Sequence, residues 1–316
     1  MGSPKLGHTS SRGEDETLER IRQALGGGIE AFGLRDDAGQ LEAAAAGSLV
    51  VSVDSVVDGV HFDRALCSPD DIGWKALMGA LSDLAAMGAR PVGALVALCV
   101  PSGAGDGATA VGVMEGVASA SRATGCPIVG GDLSSSGELM VSVTVIGDAD
   151  GAPVRRSGAR EGDVVLVTGA CGGSAAGLRV LRSGGAVGGL GEAYRRPVAR
   201  LGAGVAARQA GASAMIDVSD GFALDLHRLA DASGVGFELS EIPVAQGATL
   251  DEAMGGGEDY ELVITMEPGR VEGFLARCRD VTNFPPFAIG TVTKNATIRT
   301  LNGDELARNG WQHCIG

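Results

Sequence analysis

The chain has no CxxC pair and no Cys/His run at zinc spacing. Its six cysteines (Cys67, Cys99, Cys126, Cys171, Cys278 and Cys314) are scattered through the sequence. This argues against a zinc ribbon or disulfide framework and predicts reduced, mostly buried thiols of the kind a cytoplasmic protein carries. The chain also lacks a charged-then-apolar leader and any uninterrupted apolar run long enough to span a bilayer. Positive charge is in short supply: 25 Lys and Arg against 39 Asp and Glu give a net charge of −14. A field of that sign repels nucleic acid and anionic membrane. It admits an anionic substrate only where bound cations or a local basic patch reverse it. GxxxxGK[ST] is absent, which excludes a P-loop.

What is present is a globular chain of 316 residues with 45% apolar residues, long enough for two domains. The pattern of elements predicts an α/β fold. A loose polar tail covers 1–14, a first domain runs over 15–148 and a second over 149–316. The boundary is placed in the polar Gly/Pro stretch 148–162, which carries Arg155, Arg156 and Arg160.

In the first half, 15–25 reads as a short helix stopped by three glycines, and Asp36-Asp37 sits in a glycine-flanked turn. Alternation over 48–56 predicts a strand on which Val50, Ser52 and Asp54 share one face and Val53 points to the other. Ser68-Pro69-Asp70-Asp71 is a helix start, with Ser68 as N-cap and acids in the first turn. On that helix Asp83 lies one turn after Gly79 and Ala80, beside a small-residue side suited to close packing. The apolar run 92–100 predicts a strand buried on both faces. A Gly-started helix is predicted over 107–124. Pro127 to Asp132 predicts a short strand ending at Gly130-Gly131-Asp132, with Asp132 projecting beyond its end. Met140 to Gly147 alternates as another strand.

In the second half, 163–169 is a strand feeding the glycine-rich turn Ala170–Ser174. Such a turn can cradle phosphate at a helix N-terminus, but it lacks the Lys-Ser/Thr of a P-loop. Gly202-Ala203-Gly204 imitates a dinucleotide fingerprint with no strand before it and reads as helix packing. Ala214 to Gly221 repeats the earlier device: Asp217 and Ser219 on one strand face, then Asp220 as the N-cap of a helix. Gly255-Gly256-Gly257 is a hinge into a strand with Glu258, Asp259 and Glu261 at its mouth.

Asp37, Asp54, Asp83, Asp132, Asp217 and Asp220 thus fall at strand ends, turns or a close-packed helix face. If these acids converge, they need divalent metal to offset their repulsion. Oxygen ligands without His or Cys favour Mg²⁺ or Mn²⁺. Mg²⁺ held by a few carboxylates commonly binds substrate phosphates, which points to phosphoryl transfer.

These motifs carry a resemblance: Asp36-Asp37, Ser52-Val53-Asp54, Val60-His61-Phe62, the run from Leu81 to Ala89, Gly130-Gly131-Asp132, Arg156-Ser157-Gly158-Ala159, Asp217 to Gly221, and Gly255 to Leu262. In that order, over nearly the whole chain, the sequence resembles the thiamine-monophosphate kinase family of the aminoimidazole ribonucleotide synthetase-like superfamily. The resemblance implies a two-domain fold whose N-terminal, ATP- and Mg-binding domain pairs its sheet across a homodimer. It implies ATP and thiamine monophosphate as substrates, Mg²⁺ as cofactor, and direct transfer of the γ-phosphoryl group with no protein nucleophile. By position, Asp37, Ser52, Val53 (through its backbone oxygen), Asp54, Asp83, Asp132, Asp217 and Asp220 would hold Mg²⁺. Gly131, Asp132, Arg156 and Ser219 would meet ATP, and His61, Glu258 and Trp311 would meet thiamine monophosphate. An Arg suits a polyphosphate and an aromatic ring suits a cationic thiazolium.

The sequence departs from the family pattern at Arg35, Gly39 and Val53 and in Leu133-Ser134-Ser135-Ser136, none of which removes a carboxylate. The alternatives are another ATP-dependent enzyme of the superfamily, or a non-catalytic relative that binds nucleotide or cation. The absence of any cysteine before Cys67 argues against a selenophosphate synthetase.

Overall fold

The computed structural model describes residues 39–42, 48–102, 106–185, 189–279, 281 and 285–313. The readings made on 15–25, Arg35, Asp36 and Asp37 lie outside these residues.

Two sheets and eight helices make a mixed α/β architecture among the described residues. The first sheet contains β1 (Gly39–Glu42), β2 (Ser48–Val57), β3 (Arg90–Pro101), β4 (Ile128–Ser136) and β5 (Met140–Asp148), in the order β1-β2-β5-β3-β4. Helices α1 (Pro69–Ala86) and α2 (Asp106–Thr124) belong with it. The second sheet holds β6 (Val164–Val167), β7 (Ala214–Asp217), β8 (Gly236–Leu239), β9 (Leu262–Met266), β10 (Phe287–Thr293), β11 (Arg299–Leu301) and β12 (Asp304–Glu305), in the order β12-β11-β8-β10-β6-β9-β7. Its helices are α3 (Gly173–Arg182), α4 (Leu190–Arg195), α5 (Leu201–Ala210), α6 (Phe222–Ser233), α7 (Leu250–Gly255) and α8 (Pro268–Cys278).

Helix α1 joins the two halves. Ser68 and Asp71 form a reciprocal capping box at its start, and Pro69 takes the first turn. Fourteen of its 18 residues are buried, as expected of a helix covered on every side. Ile72, Leu77, Leu81 and Leu84 pack with Val143, Val96 and Leu98 of the first sheet. Ala85 and Ala86 join Leu166, Ala203 and Phe274 of the second half. At this crossing a Cβ on Gly204 of α5 would lie 2.0 Å from the Ala85 carbonyl oxygen. Only glycine lets the two backbones come so close. The sequence Gly202-Ala203-Gly204 is therefore helix packing. Trp74 Nε1 also donates to Pro197 O at 2.8 Å, and Arg196 pairs with Asp70 and Asp71.

Two strand expectations need correction. β3 is not buried on both faces: Val92 and Leu95 are 49% and 40% exposed. β4 does not end at Gly130-Gly131-Asp132 but continues to Ser136, because Leu95 to Pro101 of β3 pair with it residue by residue. Asp132 therefore lies in mid-strand, and β4 is an edge strand exposed along most of its length.

Candidate active site

Side chains from four segments meet where α1 crosses between the sheets. On β2, Ser52 Oγ donates to Asp83 Oδ2 of α1 at 2.5 Å, and the Ser55 amide donates to Asp54 Oδ1 at 2.7 Å. One residue before Asp83, Ser82 Oγ donates to Asp217 Oδ2 at the end of β7 at 2.6 Å. The fourth segment is 256–261, which pairs with the loop after β7: Glu258 N donates to Ser219 O and Tyr260 N to Val218 O. Glu258 and Tyr260 both take positive φ, 64° and 50°, a conformation costly for residues with side chains.

The Tyr260 ring enters the middle of the cluster. A Cβ on Gly79 would stand 3.0 Å from the Tyr260 hydroxyl and 3.1 Å from Asp54 Oδ2, so glycine leaves room for both. Burial holds the Tyr260 phenol well above its ordinary pKa, reinforced by the charges of Glu258, Asp54, Asp217 and Asp83. Tyr260 thus stays a neutral phenol amid four carboxylates.

A second group fixes the loop after β7. Asp225 Oδ2 accepts from the backbone amides of Ser219, Asp220 and Gly221 at 3.1, 2.9 and 3.1 Å. Arg228 Nη1 donates to Asp220 Oδ2 at 2.5 Å and to Asp225 Oδ1 at 2.9 Å. Burial first, and then the charge of Asp220, push the Asp225 carboxyl up to about 7. The positive charge of Arg156 also reaches this group, acting on both Asp225 and Arg228. Asp220 is consequently not the N-cap of α6; Gly221 occupies that position and Asp220 is ion-paired.

A third group forms a wall of rings and charges. His61 lies 5.3 Å from the His313 ring, and His313 lies edge-on to Trp311 at 6.2 Å. Trp311 is 45% exposed and its amide donates to Asp220 O, which ties the wall to the loop after β7. The Val57 amide donates to His61 Nδ1 at 3.1 Å. That bond places the ring proton on Nε2, and burial lowers the His61 pKa, so the ring is a neutral N–H donor at neutral pH. Lys75 of α1 donates to Glu258 Oε2 at 2.7 Å.

The sequence-predicted residues divide accordingly. Ser52, Asp54, Asp83, Asp217 and Glu258 come together, with His61 and Trp311 beside them and Ser219, Asp220 and Arg156 next to Asp225. Asp132, Gly131 and Val53 do not join them. By strand register Asp132 shares a row with Ala97, Ser142 and Ser55, whereas Asp54 shares the neighbouring row with Val143, Val96 and Gly131. Neighbouring rows face opposite sides of a sheet, so Asp132 points away from Asp54. Three strand spacings, about 14 Å, also separate β4 from β2. Gly131 meets the β3 backbone, where a Cβ would lie 2.0 Å from Val96 O. Val53 lies on the outer face, 63% exposed.

The glycine-rich turn before α3 is already occupied. Asp259 accepts from the amides of Gly172 at 2.6 Å and Ser174 at 3.1 Å. Burial lifts its carboxyl to about 7 despite those bonds. This internal carboxylate, rather than a ligand phosphate, satisfies the donors of that helix start.

Sequence reasoning missed Lys75, Ser82, Tyr260, Asp225 and Arg228. One signal was available for Lys75, a lone charge between Trp74 and Ala76 in an otherwise apolar stretch. Another was the carboxylate of Asp225 four residues after the Gly221 that opens α6.

Among the described residues no three His, Cys, Asp or Glu side chains are grouped closely enough to hold a metal ion by themselves. The donors that do gather are all oxygens, and Asp54, Asp83, Asp217 and Glu258 all act on one phenol. That donor chemistry fits Mg²⁺, which is usually held by one or two carboxylates together with substrate phosphates.

Comparison with known proteins accounts for both halves of the architecture. Residues 35–149 match the family model of the AIR synthase related protein N-terminal domain, and residues 160–300 match that of its C-terminal domain. The two domains are those of an AIR synthase related protein. A thiamine-monophosphate kinase of Mycobacterium tuberculosis is 40% identical, the match covering 73% of this chain and 74% of that one. One of Bacillus subtilis is 34% identical over 89% of this chain and 93% of its own. A solved structure described as AaThiL complexed with AMPPCP and TMP superposes with a TM-score of 0.85 at 29% identity, covering 97% of this chain and all of that one. The chain belongs to the thiamine-monophosphate kinase family.

Proposed function

We propose that this protein transfers the γ-phosphoryl group of ATP to thiamine monophosphate, releasing ADP and thiamine diphosphate. The observation that carries the reading is the junction of Asp54, Asp83 and Asp217 with the His61–His313–Trp311 wall, on a chain related along nearly its full length to thiamine-monophosphate kinases. Both substrates present anionic phosphate groups, and the protein carries a net charge of −14. The acidic cluster makes sense when cations stand between it and the phosphates.

Asp54, Asp83 and Asp217, with Asp37, Asp220 and the hydroxyl oxygen of Ser52, are the residues that would hold Mg²⁺. Bound there, Mg²⁺ would neutralise the phosphate oxygens and align donor and acceptor. The rest is positioning by this chain's own groups. Asp225 and Arg228 hold the loop after β7 rigid, and Arg156 and Ser219 beside it suit the ATP phosphates. His61 presents Nε2–H to the acceptor phosphate, and Trp311 offers a ring face to the thiazolium. The acceptor phosphate oxygen attacks directly, so the gain comes from proximity and charge stabilisation.

Gly131 and Asp132 enter this reading through a second copy. We read residues 15–148 as the ATP-binding and dimerising domain and 149–316 as the second domain. Val53, Leu95, Val129 and Leu133 leave an apolar outer face and edge on the first sheet, 63%, 40%, 61% and 64% exposed. Pairing of two such sheets in a homodimer would bury them. Asp132 then meets ATP held in the partner's cleft. Among the described residues no helix is long and apolar enough to cross a membrane. The free state of the five described cysteines suits a cytoplasmic setting.

Trp311→Ala tests the substrate wall. Stacking on a cationic ring is worth on the order of 1 kcal/mol, so the KM for thiamine monophosphate should rise about fivefold with kcat and the KM for ATP little changed. An unchanged KM would assign Trp311 to packing alone.

A further inference from the structure

We infer that Lys75 is a positioning residue for the acceptor substrate, acting through Glu258 and the backbone of His61; this rests on the function proposed above. The Lys75 side chain has no exposed surface. An ammonium in such a place is costly unless every N–H finds a partner. One N–H goes to Glu258 Oε2 at 2.7 Å and another to His61 O at 3.1 Å. Nζ also stands 3.9 Å from the centre of the Tyr194 ring, which takes the remaining side of the charge. All three donors are therefore spent inside the protein, so Lys75 does not itself bind phosphate.

What these contacts achieve is the placing of two residues from opposite halves of the chain. Glu258 comes from the second half and stands on a strained backbone with φ of 64°. His61 follows β2 in the first half, and its ring is the N–H donor of the substrate wall. Lys75 touches both from one atom, and so sets the distance between the Glu258 carboxylate and the His61 ring.

A second observation shows that this pair does more than fill the core. Glu258 Oε1 is buried and has no hydrogen-bond partner among the described residues. A purely structural ion pair in a dry core is readily replaced by apolar side chains. Here one carboxylate oxygen is neutralised and the other is left a buried acceptor with no donor among the described residues. A buried carboxylate oxygen without a donor is costly, and a small turn of this partly exposed side chain would offer it to an N–H donor or a cationic ring on the ligand; the acceptor substrate carries both an aminopyrimidine and a thiazolium. Lys75 thus holds the carboxylate through Oε2, so that Oε1 is the oxygen left for the acceptor.

Steady-state kinetics of Lys75→Met, Glu258→Gln and the double variant, with thermal unfolding of each, test the inference. Methionine keeps the length and removes the charge. Lys75→Met should raise the KM for thiamine monophosphate by at least about thirtyfold, as when one partner of a buried pair is removed, with the KM for ATP within about twofold. The double variant should recover the thermal stability lost in Lys75→Met, because no unpaired buried charge remains. It should keep the raised KM and be no worse than Glu258→Gln, since the two residues act as one unit. A normal thiamine monophosphate KM in Lys75→Met would overturn the inference. So would an equal rise in the KM for ATP, or a KM in the double variant restored along with its stability. A wild-type protein that makes no ADP in response to thiamine monophosphate would overturn the functional reading, and this inference with it.

Discussion

Asp54→Asn is expected to lower kcat by about 10³-fold, the scale of losing one charge-stabilising group at a reacting centre, and to leave the chain folded. The Asp54 carboxylate accepts the Ser55 amide through Oδ1, while Oδ2 faces Gly79 of α1. Asparagine keeps the shape and one acceptor oxygen, so local structure is retained. What it removes is a negative charge from a site shared with Asp83, Asp217 and Glu258 around Tyr260. In the free protein that removal relieves repulsion, and the melting temperature should hold or rise slightly. On the proposed reading, the same charge is needed during turnover to hold the cations that screen the substrate phosphates from the cluster. Stability and activity should therefore move in opposite directions. A variant that loses both would place Asp54 in the structural scaffold, and one that loses neither would remove it from the site.

Asp132 is expected to carry the second large effect, through a different copy of the chain. Asp132→Asn alone should also bring activity close to zero. Mixed with Asp54→Asn under conditions that exchange subunits, it should restore activity to about a quarter of wild type. Half of the dimers are then mixed, and in each of these one of the two clefts has an intact Asp54 facing an intact Asp132. The expectation follows from the sheet. Asp132 lies three strands from β2 and on the opposite face from Asp54, so the two do not serve one cleft within a single chain. Mixing that gives no recovery, with dimers confirmed by light scattering, would place Asp132 in its own chain's cleft or outside the site.

The elements legible in the sequence were those written in local signals. The alternation of β2 and β5, and the Ser68-Pro69-Asp70-Asp71 start of α1, are fixed by neighbours within a few residues, and the structure has them there. β4 was cut short because Gly130-Gly131 looks like a stop. Its backbone pairing with β3 extends the strand through the glycines to Ser136. β3 looked buried on both sides because its composition is apolar, but composition does not reveal that one face of the sheet is left open.

The acids that gather around Tyr260 stand out in the sequence as carboxylates at strand ends, turns or a close-packed helix face. Their division between two faces of one sheet follows from strand order, which no single segment encodes. Asp259 closing the turn before α3, 87 residues away, and Lys75 meeting Glu258, 183 residues away, are long-range contacts of the same kind. Asp220 was read as a cap because Asp before Gly and a helix is the usual cap pattern. Arg228, two turns on, takes its carboxylate instead.

The central claim is that the γ-phosphoryl group passes directly from ATP to the phosphate of thiamine monophosphate. Its most direct test is a single-turnover reaction of the purified protein with γ-³²P-labelled ATP, Mg²⁺ and thiamine monophosphate, with the products separated by chromatography. The label should appear in the terminal phosphate of thiamine diphosphate in step with ADP release, and thiamine should not replace thiamine monophosphate as acceptor. Label released as inorganic phosphate whether or not thiamine monophosphate is present, or AMP formed in place of ADP, would contradict it.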